Sequence, residues 1–427
     1  MDFSEYPLFG TFDVAVVGGG IAGTAAAVAA ARQGANVLLI EEKAYLGGTG
    51  SGAKIGLMSG FANNENDQNI KGLIGEVLKR MKERNGAGPL ETFYMCNRKD
   101  LGVISCCYDS LVMREVFDDI CREANVHVLF HTREIAVETD NRKIKDLVIH
   151  NLNGIQRVKA KTYIDASFHA CVAYDAGCQT AYGNEKGILQ PGTLVYYMDQ
   201  VDGKLFDSLP QSERTSIAMK GISEGVLHVN NLLSRPIPNG VRQSNMSRVK
   251  VDVTDPYQWS EAEMEGRRQD REISKYFINH VQGFKTARMV SEGEFLGLRD
   301  SRRLVGKYVL TGEDVLSGKK FSDAIAVSSY PVDIHDTDGV SSQLFMPRKG
   351  YYYIPYQSLL PNEIDNLLVA GRCISATFEA HSALRVMATC FRIGEASGIA
   401  SAYSSMNSLN VGEIDSIALS KDILAES

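Results

Sequence analysis

Residues 14–41 read VAVVGGGIAGTAAAVAAARQGANVLLIE, and this stretch constrains the fold more than any other part of the chain. Val14 to Val17 are four consecutive apolar residues, as in a strand buried on both faces. Gly18, Gly20 and Gly23 follow at G-x-G-x-x-G spacing and run into an alanine-rich helix. The first glycine permits a tight turn, the second lets backbone approach a pyrophosphate, and the third lets the helix lie close on its strand. The helix start offers free N–H groups and the positive end of its dipole to the anion. Gly34 closes that helix, Val37 to Ile40 form a second apolar strand, and Glu41 stands at its end, 23 residues after Gly18 and near the expected ~20. Strand, glycines, helix, strand and acid in this order predict a βα unit that holds a dinucleotide; the glycine spacing alone would say much less. An NADP site usually carries an arginine for the 2′-phosphate, so NAD and FAD remain.

At 427 residues the chain is long enough for roughly two to three structural units. Its net charge of −7 offers no electrostatic footprint for nucleic acid or an anionic membrane, so neither is an expected partner. No run approaches ~18 uninterrupted apolar residues, and the start, MDFSEYPLFGTF, carries two acids and does not read as a signal peptide. The expected location is cytoplasmic. The eight cysteines, at 96, 106, 107, 121, 171, 178, 373 and 390, include no C-x-x-C pair, which argues against an iron–sulfur or structural zinc site. No metal is expected.

Further along, LGGTGSGAKIGLMSG (46–60) mixes glycines with buried-type residues, as where backbone approaches a ligand. Helical periodicity predicts helices over 70–84 and 109–124, the second presenting Leu111, Val112, Val116, Phe117 and Ile120 on one face. Val126 to Phe130 is a third candidate parallel strand. Residues 133–164 alternate in short segments split by Asp-Asn and Asn-Gly turns, an antiparallel meander whose last strand, ending at Asp165 and Ala166, returns to the central sheet. Residues 184–260 predict a largely antiparallel layer, followed by a long charged helix over 261–281 with Ile273, Tyr276, Phe277 and Val281 as its apolar stripe. Leu367 to Ala370 is a late buried strand ending at Gly371; Gly394 to Tyr403 is a small-residue helix, and the loop between them contains Arg385. Such a strand, glycine and helix is how a chain re-enters the domain it began.

At this point the chain resembles the bacterial FAD-dependent oxidoreductases with a glutathione-reductase-type flavin domain. The resemblance rests on GGGIAG (18–23), LGGTGSG (46–52), YIDAS (163–167), NMSRV (245–249) and EMEGRRQ (263–269). It extends through GLRDSRRLVGKYVLTGEDVLSGKKFSDAIA (297–326), YPVDIH (330–335) and NLLVAGRCISATFEAHSALRVM (366–387). It implies an α/β fold: a Rossmann-like FAD-binding domain with a central parallel sheet, discontinuous over 10–185 and 350–410, and a β-rich substrate or cap domain over 186–349. A tail over 411–427 follows. It also implies that Gly18, Gly20, Ile21, Ala22 and Gly23 hold the pyrophosphate, and that Glu41, with Glu42 beside it, holds the ribose. Gly47, Gly48 and Thr49 pass along the pyrophosphate and ribityl chain, backbone at Ile135 faces adenine, and Ala166, Gly371 and Arg372 complete the cradle. Arg385, Val386 and Met387 lie near the flavin ring, where the following helix directs its dipole at the N1/C2 edge. Two departures stand out. Ala166-Ser167-Phe168-His169-Ala170-Cys171 replaces the family's common Ala-Thr-Gly-Asp-Gly-Asp, and Gly371-Arg372 stands where many glutathione-reductase-type enzymes have Gly-Asp.

The family blocks outside the nucleotide motifs supply the substrate-side candidates: Asn245, Arg248, Arg299, Arg302, Arg303, His335 and Tyr353. Arginines grip carboxylates bidentately, and His335 has the ordinary pKa of a proton shuttle. Each has a plainer reading. Arg302 and Arg303 could form interdomain salt bridges, His335 beside Asp333 and Asp336 could be structural, and the same holds for His381. The disulfide reductases are set aside because residues 42–60 lack a cysteine pair; a second G-x-G-x-x-G for a nicotinamide nucleotide is missing, and the single tryptophan, Trp259, leaves no halogenase-type motif. The expected function is hydride transfer between flavin N5 and a small, anionic-leaning metabolite. The electron donor or acceptor is unidentified, and self-association into a homo-oligomer is left open. The alternatives are a flavin-binding subunit or scaffold without turnover of its own, and a tRNA-modifying-type flavoprotein, which the acidic balance disfavours.

Overall fold

The computed structural model describes residues 3–61, 72–95, 100–335 and 342–425. Its organising element is the strand Leu8–Val17, which pairs in parallel with Val37–Ile40 on one side and with Gly154–Asp165 on the other. His127–Leu129 extends the sheet beyond Val37–Ile40, and Leu367–Val369 extends it beyond the end of Gly154–Asp165, both in parallel. Val17, Ile40, Leu129, Asp165 and Val369 stand in mutual register. The five loops that follow these strands therefore leave one edge of the sheet, the edge where ligands sit in doubly wound folds. The start of Gly154–Asp165 also pairs with the antiparallel strands Lys143–Asn151 and Arg133–Asp140, which is the expected meander.

Both faces of the parallel strands are covered, which is why they read as unbroken apolar runs. On one face lie the helices Ile21–Arg32 and Met387–Asn407. Their contact is built on small residues: a Cβ added at Gly394 or Gly398 would come within 2.1 Å of the carbonyl oxygens of Ala22 or Ala26. The late helix is thus far longer than the expected 394–403, and a short helix, Phe378–Leu384, precedes it. Helix Ser110–Glu123 buries Met113, Val116, Phe117, Ile120 and Cys121, while Leu111 is exposed. The inward stripe follows the i, i+3, i+4 spacing from Met113, which Leu111 does not share. A three-stranded antiparallel sheet, Leu57–Ser59, Gly102–Tyr108 and Ala87–Tyr94, had no clear period in the sequence.

A second antiparallel sheet orders Ser234–Pro236, Arg242–Ser244, Tyr196–Asp199 and Arg288–Glu292. The helix Pro256–His280 belongs to the same part of the chain, capped by Asp255, whose carboxylate accepts from the N–H groups of Tyr257 and Gln258. Ile273, Tyr276, Phe277 and Val281 are buried with Tyr196, Met198, Phe206 and Phe284 in a cluster of their own. Leu310, Val315, Ile325, Val332 and Tyr352 pack instead with Val14, Val16 and the helix alanines.

Asp270 on this helix is fully buried, and among the described residues its carboxylate oxygens have no close hydrogen-bond donor, the Ser247 hydroxyl being the polar group that acts on it. Burial pushes its carboxyl up to about 9. In the unfolded chain it ionises near 3.9, so between about pH 4 and 9 the unfolded state sheds a proton that the folded state keeps, and each unit of rising pH costs ~1.4 kcal/mol of stability. Asp270→Asn removes that ionisation. The variant is expected to be more stable at pH 7, by as much as about 4 kcal/mol, with the advantage shrinking to nothing near pH 4. Thermal and urea unfolding across this range measure it; a difference that does not change with pH contradicts the assignment.

Candidate functional site

The loops at the common strand edge enclose a cavity of about 1860 Å³, larger than the ~300–1,000 Å³ of ordinary small-molecule sites. One end is the glycine turn. Gly18 has φ +98°, and a Cβ there would come within 2.4 Å of the Ala166 carbonyl oxygen; at Gly23 it would come within 1.8 Å of the Gly18 oxygen. At Gly20 it would meet no protein atom within 4 Å, although Gly20 lines the cavity. Gly20 thus leaves open the space in front of helix Ile21–Arg32. No side chain caps that helix, and its first internal bond runs from the Thr24 N–H to the Gly20 carbonyl at 2.9 Å. The N–H groups of Ile21, Ala22 and Gly23 are therefore available to an anion.

Glu41 is buried and oriented by two backbone donors, Gly19 N–H to Oε2 at 2.6 Å and Lys43 N–H to Oε1 at 2.7 Å. Burial pushes its carboxyl up, and those two donors oppose the shift. Glu42, ion-paired with Lys43 at 2.9 Å, lines the cavity beside it, as do Gly48 and Thr49. Gly47 stands behind them and braces the turn, its N–H donating to the Gly19 carbonyl at 2.8 Å. The adjoining wall is Thr132, Arg133 and Glu134. Ile135, whose backbone is expected to face adenine, follows directly on this wall, and the residue is 43% exposed. The strand's pleat turns Glu134 inward and Ile135 outward.

The middle of the cavity is where the chain departs from its family pattern. Phe168 and His169 both line it, Phe168 in the left-handed region at φ +74°. The Arg372 guanidinium stacks on the Phe168 ring and donates to the carbonyls of Leu298 (2.8 Å) and Phe168 (3.3 Å), while among the described residues its Nε has no partner. Burial pulls Arg372 down to about 9 against the pull of Asp300. His169 sits edge-on to Phe168 at 4.8 Å and 5.4 Å from Trp259, with Nδ1 paired to the Ser301 hydroxyl. Burial and the charge of Arg372 lower it to about 3, so the ring is neutral. Bulk at 168–169 therefore builds an aromatic wall where the family pattern has glycine and acid.

A second helix start opens on the same space. Arg385 ends Phe378–Leu384, Val386 is the uncapped N-cap of Met387–Asn407, and Arg385, Val386, Met387 and Cys390 all line the cavity. Next to this turn three arginines converge. Arg299 donates to the Pro191 carbonyl (2.5 Å) and Thr193 Oγ1 (2.9 Å). Arg248 donates to the Ser247 carbonyl (2.7 Å), Thr193 Oγ1 (3.0 Å) and Asn245 Oδ1 (3.3 Å). Arg385 donates to the Asp333 carbonyl at 3.1 Å and lies 3.5 Å from its carboxylate. Among the described residues the Nε atoms of Arg248 and Arg385 have no partner. Burial and the neighbouring Arg248 and Arg385 charges push Arg299 well below the usual arginine range, and burial lowers Arg248 to about 10.

Asp333 is the carboxylate among them. Burial opposes its charge, yet His335, Arg385 and the Tyr330 hydroxyl, which donates at 2.9 Å, outweigh that and hold it well below the usual carboxylate range. His335 Nε2 lies 3.3 Å from Asp333, two residues along the same strand face. Burial and the charge of Arg299 lower His335 to about 3 in spite of Asp333, so it is a neutral base at physiological pH.

Of the substrate-side candidates, the structure thus gathers Asn245, Arg248, Arg299 and His335. Arg302 lines the cavity elsewhere, 4.3 Å over the Tyr174 ring. Arg303 is a structural tie, bound to Asp300 at 2.9 Å and to the carbonyls of Gly183 and Ala376. His381 is buried outside the cavity wall, with Nδ1 3.7 Å from Asp300. Tyr353 also lies outside it, on the strand Tyr352–Pro355 paired with Ala324–Ser328. No residue of that strand lines the cavity. Asp333 and Tyr330 went unranked as site residues, although the i, i+2 placement of Asp333 and His335 on a strand was a usable signal. Among the described residues no three His, Cys, Asp or Glu side chains come together as a metal site, and no helix is long and apolar enough to cross a membrane.

A parallel strand edge, a glycine turn, a buried acid oriented by two backbone donors and two uncapped helix starts on one cavity define the class of a dinucleotide-binding protein. Residues 13–423 match the family described as FAD dependent oxidoreductase, and the chain belongs to that family. Its cofactor is FAD and it is an oxidoreductase. Similar solved structures share the fold. One is a geranylgeranyl bacteriochlorophyll reductase-like protein from Thermoplasma acidophilum, 13% identical over 97% of this chain and 83% of that one, TM-score 0.52. Another is p-nitrophenol 4-monooxygenase from Pseudomonas putida DLL-E4, 11% identical over 96% and 84%, TM-score 0.51. No curated protein matches the chain.

Proposed function

We propose that this oxidoreductase moves a hydride between FAD and a small anionic metabolite bound at the arginine-lined end of the cavity. The residues that would hold FAD are those the family resemblance implied. The Gly18–Gly23 turn meets the pyrophosphate, Glu41 the ribose, and Gly48, Thr49, Gly371 and Arg372 the chain to the ring. Arg385, Val386 and Met387 stand at the ring, and the uncapped N–H groups and the unpartnered Arg372 Nε fit an anionic cofactor. When bound, the flavin supplies two-electron chemistry at N5.

The observation that carries the substrate class is a charge imbalance: Arg248, Arg299 and Arg385 surround Asp333 in a desolvated pocket. Buried cations without matched carboxylates are costly, and a ligand anion is the group that would balance them. Arg248 and Arg299, both braced on Thr193, present fixed donors to a carboxylate or phosphate. Asp333 fixes the His335 ring, which can take up a proton at its imidazole as the substrate is oxidised. A scaffold with no turnover of its own would be expected to close the space beyond Val386; here the cavity continues past it to Arg299 and His335.

The holoenzyme mixed anaerobically with fractionated metabolites tests this. Anionic fractions are expected to bleach the visible flavin band, or to reoxidise reduced enzyme. Bleaching by neutral or cationic fractions alone contradicts the substrate class. Because burial holds His335 near 3, kcat/KM for the active anion should show no acid limb above about pH 5. A limb near the ordinary histidine value of ~6.5 that disappears in His335→Gln would count against that protonation state.

A further inference from the structure

Beyond the arginine pocket the cavity continues into a second lobe between the three-stranded sheet, with Leu57, Phe93 and Val103, and the segment Leu232 to Pro238. Several polar groups in this lobe are tied down. Arg242 is held by Asp207 at 2.8 and 3.0 Å and by Ser234, and Arg214 donates to the Phe206 carbonyl at 2.8 Å, although its Nε has no partner among the described residues. Arg235 has no tie of this kind. Its guanidinium lies 4.2 Å over the Phe93 ring and, among the described residues, makes no hydrogen bond or ion pair. Glu91 also lines the cavity and, like Arg235, acts on the charge of Cys107, but among the described residues it forms no ion pair with Arg235. Stacking occupies one face of the guanidinium, and Arg235 lines the lobe with its N–H groups uncommitted among the described residues, as an arginine that takes an oxyanion bidentately requires.

The two cationic places share one continuous space. Tyr330, which donates to Asp333 in the arginine pocket, lines the cavity and is close enough to Arg235 to interact with its charge. The lining of this space includes Leu57, Val103 and Leu233 together with the small polar Ser59 and Ser105.

We infer that Arg235 is a second anion-binding residue and that the substrate carries two anionic groups, one at Arg248 and Arg299 and the other, a carboxylate or a phosphate monoester, at Arg235. This rests on the reading of the arginine pocket as the first anion site.

Binding to the oxidised holoenzyme, read as a shift of the flavin band, tests it without turnover. The probes are three series of increasing chain length: monocarboxylates, α,ω-dicarboxylates, and carboxylates ending in a phosphate monoester. At one length a dianion is expected to bind at least about tenfold tighter than the matching monoanion, the worth of one charged hydrogen-bonded pair. Which series wins tells carboxylate from phosphate. In Arg235→Met, which keeps an aliphatic stem against Phe93, the dianion-to-monoanion affinity ratio should fall to about one; Arg235→Lys, which keeps the charge, should recover part of it. If monoanions bind and no dianion binds tighter, or if Arg235→Met keeps the ratio, the second subsite is wrong while the first stands. If no anion of any series binds, the arginine pocket itself is misread and the second subsite falls with it.

Discussion

Gly20→Val is expected to give a folded protein that has lost its FAD. Gly20 has φ −68°, an ordinary value for any residue, and a Cβ there meets no protein atom within 4 Å. The fold has no use for a glycine at this position. The branched side chain would instead fill the space in front of the Ile21–Arg32 helix start, where the free N–H groups face the cavity. Losing two such charge-assisted contacts corresponds to about 3 kcal/mol or more, a fall in FAD affinity of at least about 100-fold. The neighbouring glycines give the opposite pattern. Gly23→Ala sets a methyl 1.8 Å from the Gly18 carbonyl oxygen, and any L residue at Gly18 is strained by φ +98°, so both should lose stability by roughly 3 kcal/mol or more through overpacking or strain. Flavin retained after desalting, set beside the unfolding midpoint of the apoprotein, separates the two effects. A Gly20→Val protein that keeps stoichiometric FAD would remove the pyrophosphate from this turn.

How far the sequence could be read follows from where each signal lives. The turn at 18–23 and the strands at 14–17, 37–40 and 367–369 were legible because local chemistry decides them: apolar runs need two covered faces, and a chain turning onto a phosphate needs glycine. Met387, Val386 and Arg385 were placed near the ring by family resemblance, and the uncapped N-terminus of Met387–Asn407 is the physical content behind it. The start of the late helix was missed because Gly394 looks like a boundary in a sequence, whereas here Gly394, with Gly398 a turn on, is the surface on which Ala22 and Ala26 rest. Tyr353 was missed because the whole strand Tyr352–Pro355 stands off the cavity wall, a tertiary placement that local pattern does not carry. Arg235 carried no signal at all. It sits in Ser-Arg-Pro-Ile-Pro, and only the approach of Phe93, 142 positions earlier in the chain, gives it a role.

Arg299→Met should raise the stability of the ligand-free protein while lowering kcat/KM for the anionic substrate by about 10²–10³, the 2–5 kcal/mol cost of truncating one partner of a buried charge pair. The two signs are linked. Arg299 is buried, its hydrogen bonds go to a carbonyl and a hydroxyl, and no carboxylate among the described residues pairs with it. Its charge is disfavoured by burial and by Arg248 and Arg385, so without an anion it is a net cost to the fold, and an apolar side chain of similar length relieves that cost. Thr193 Oγ1 keeps its bond from Arg248 in the variant. Arg303 provides the contrast: equally buried, it is bound to Asp300 at 2.9 Å, and Arg303→Met strands that carboxylate, which should destabilise the protein by about 3–5 kcal/mol. Unfolding midpoints and anion titrations of the two variants tell the roles apart. If Arg299→Met destabilises the protein as Arg303→Met does, Arg299 is a structural tie and the anion pocket must be sought elsewhere; if it stabilises and abolishes anion binding, the arginine holds its unbalanced charge for a ligand.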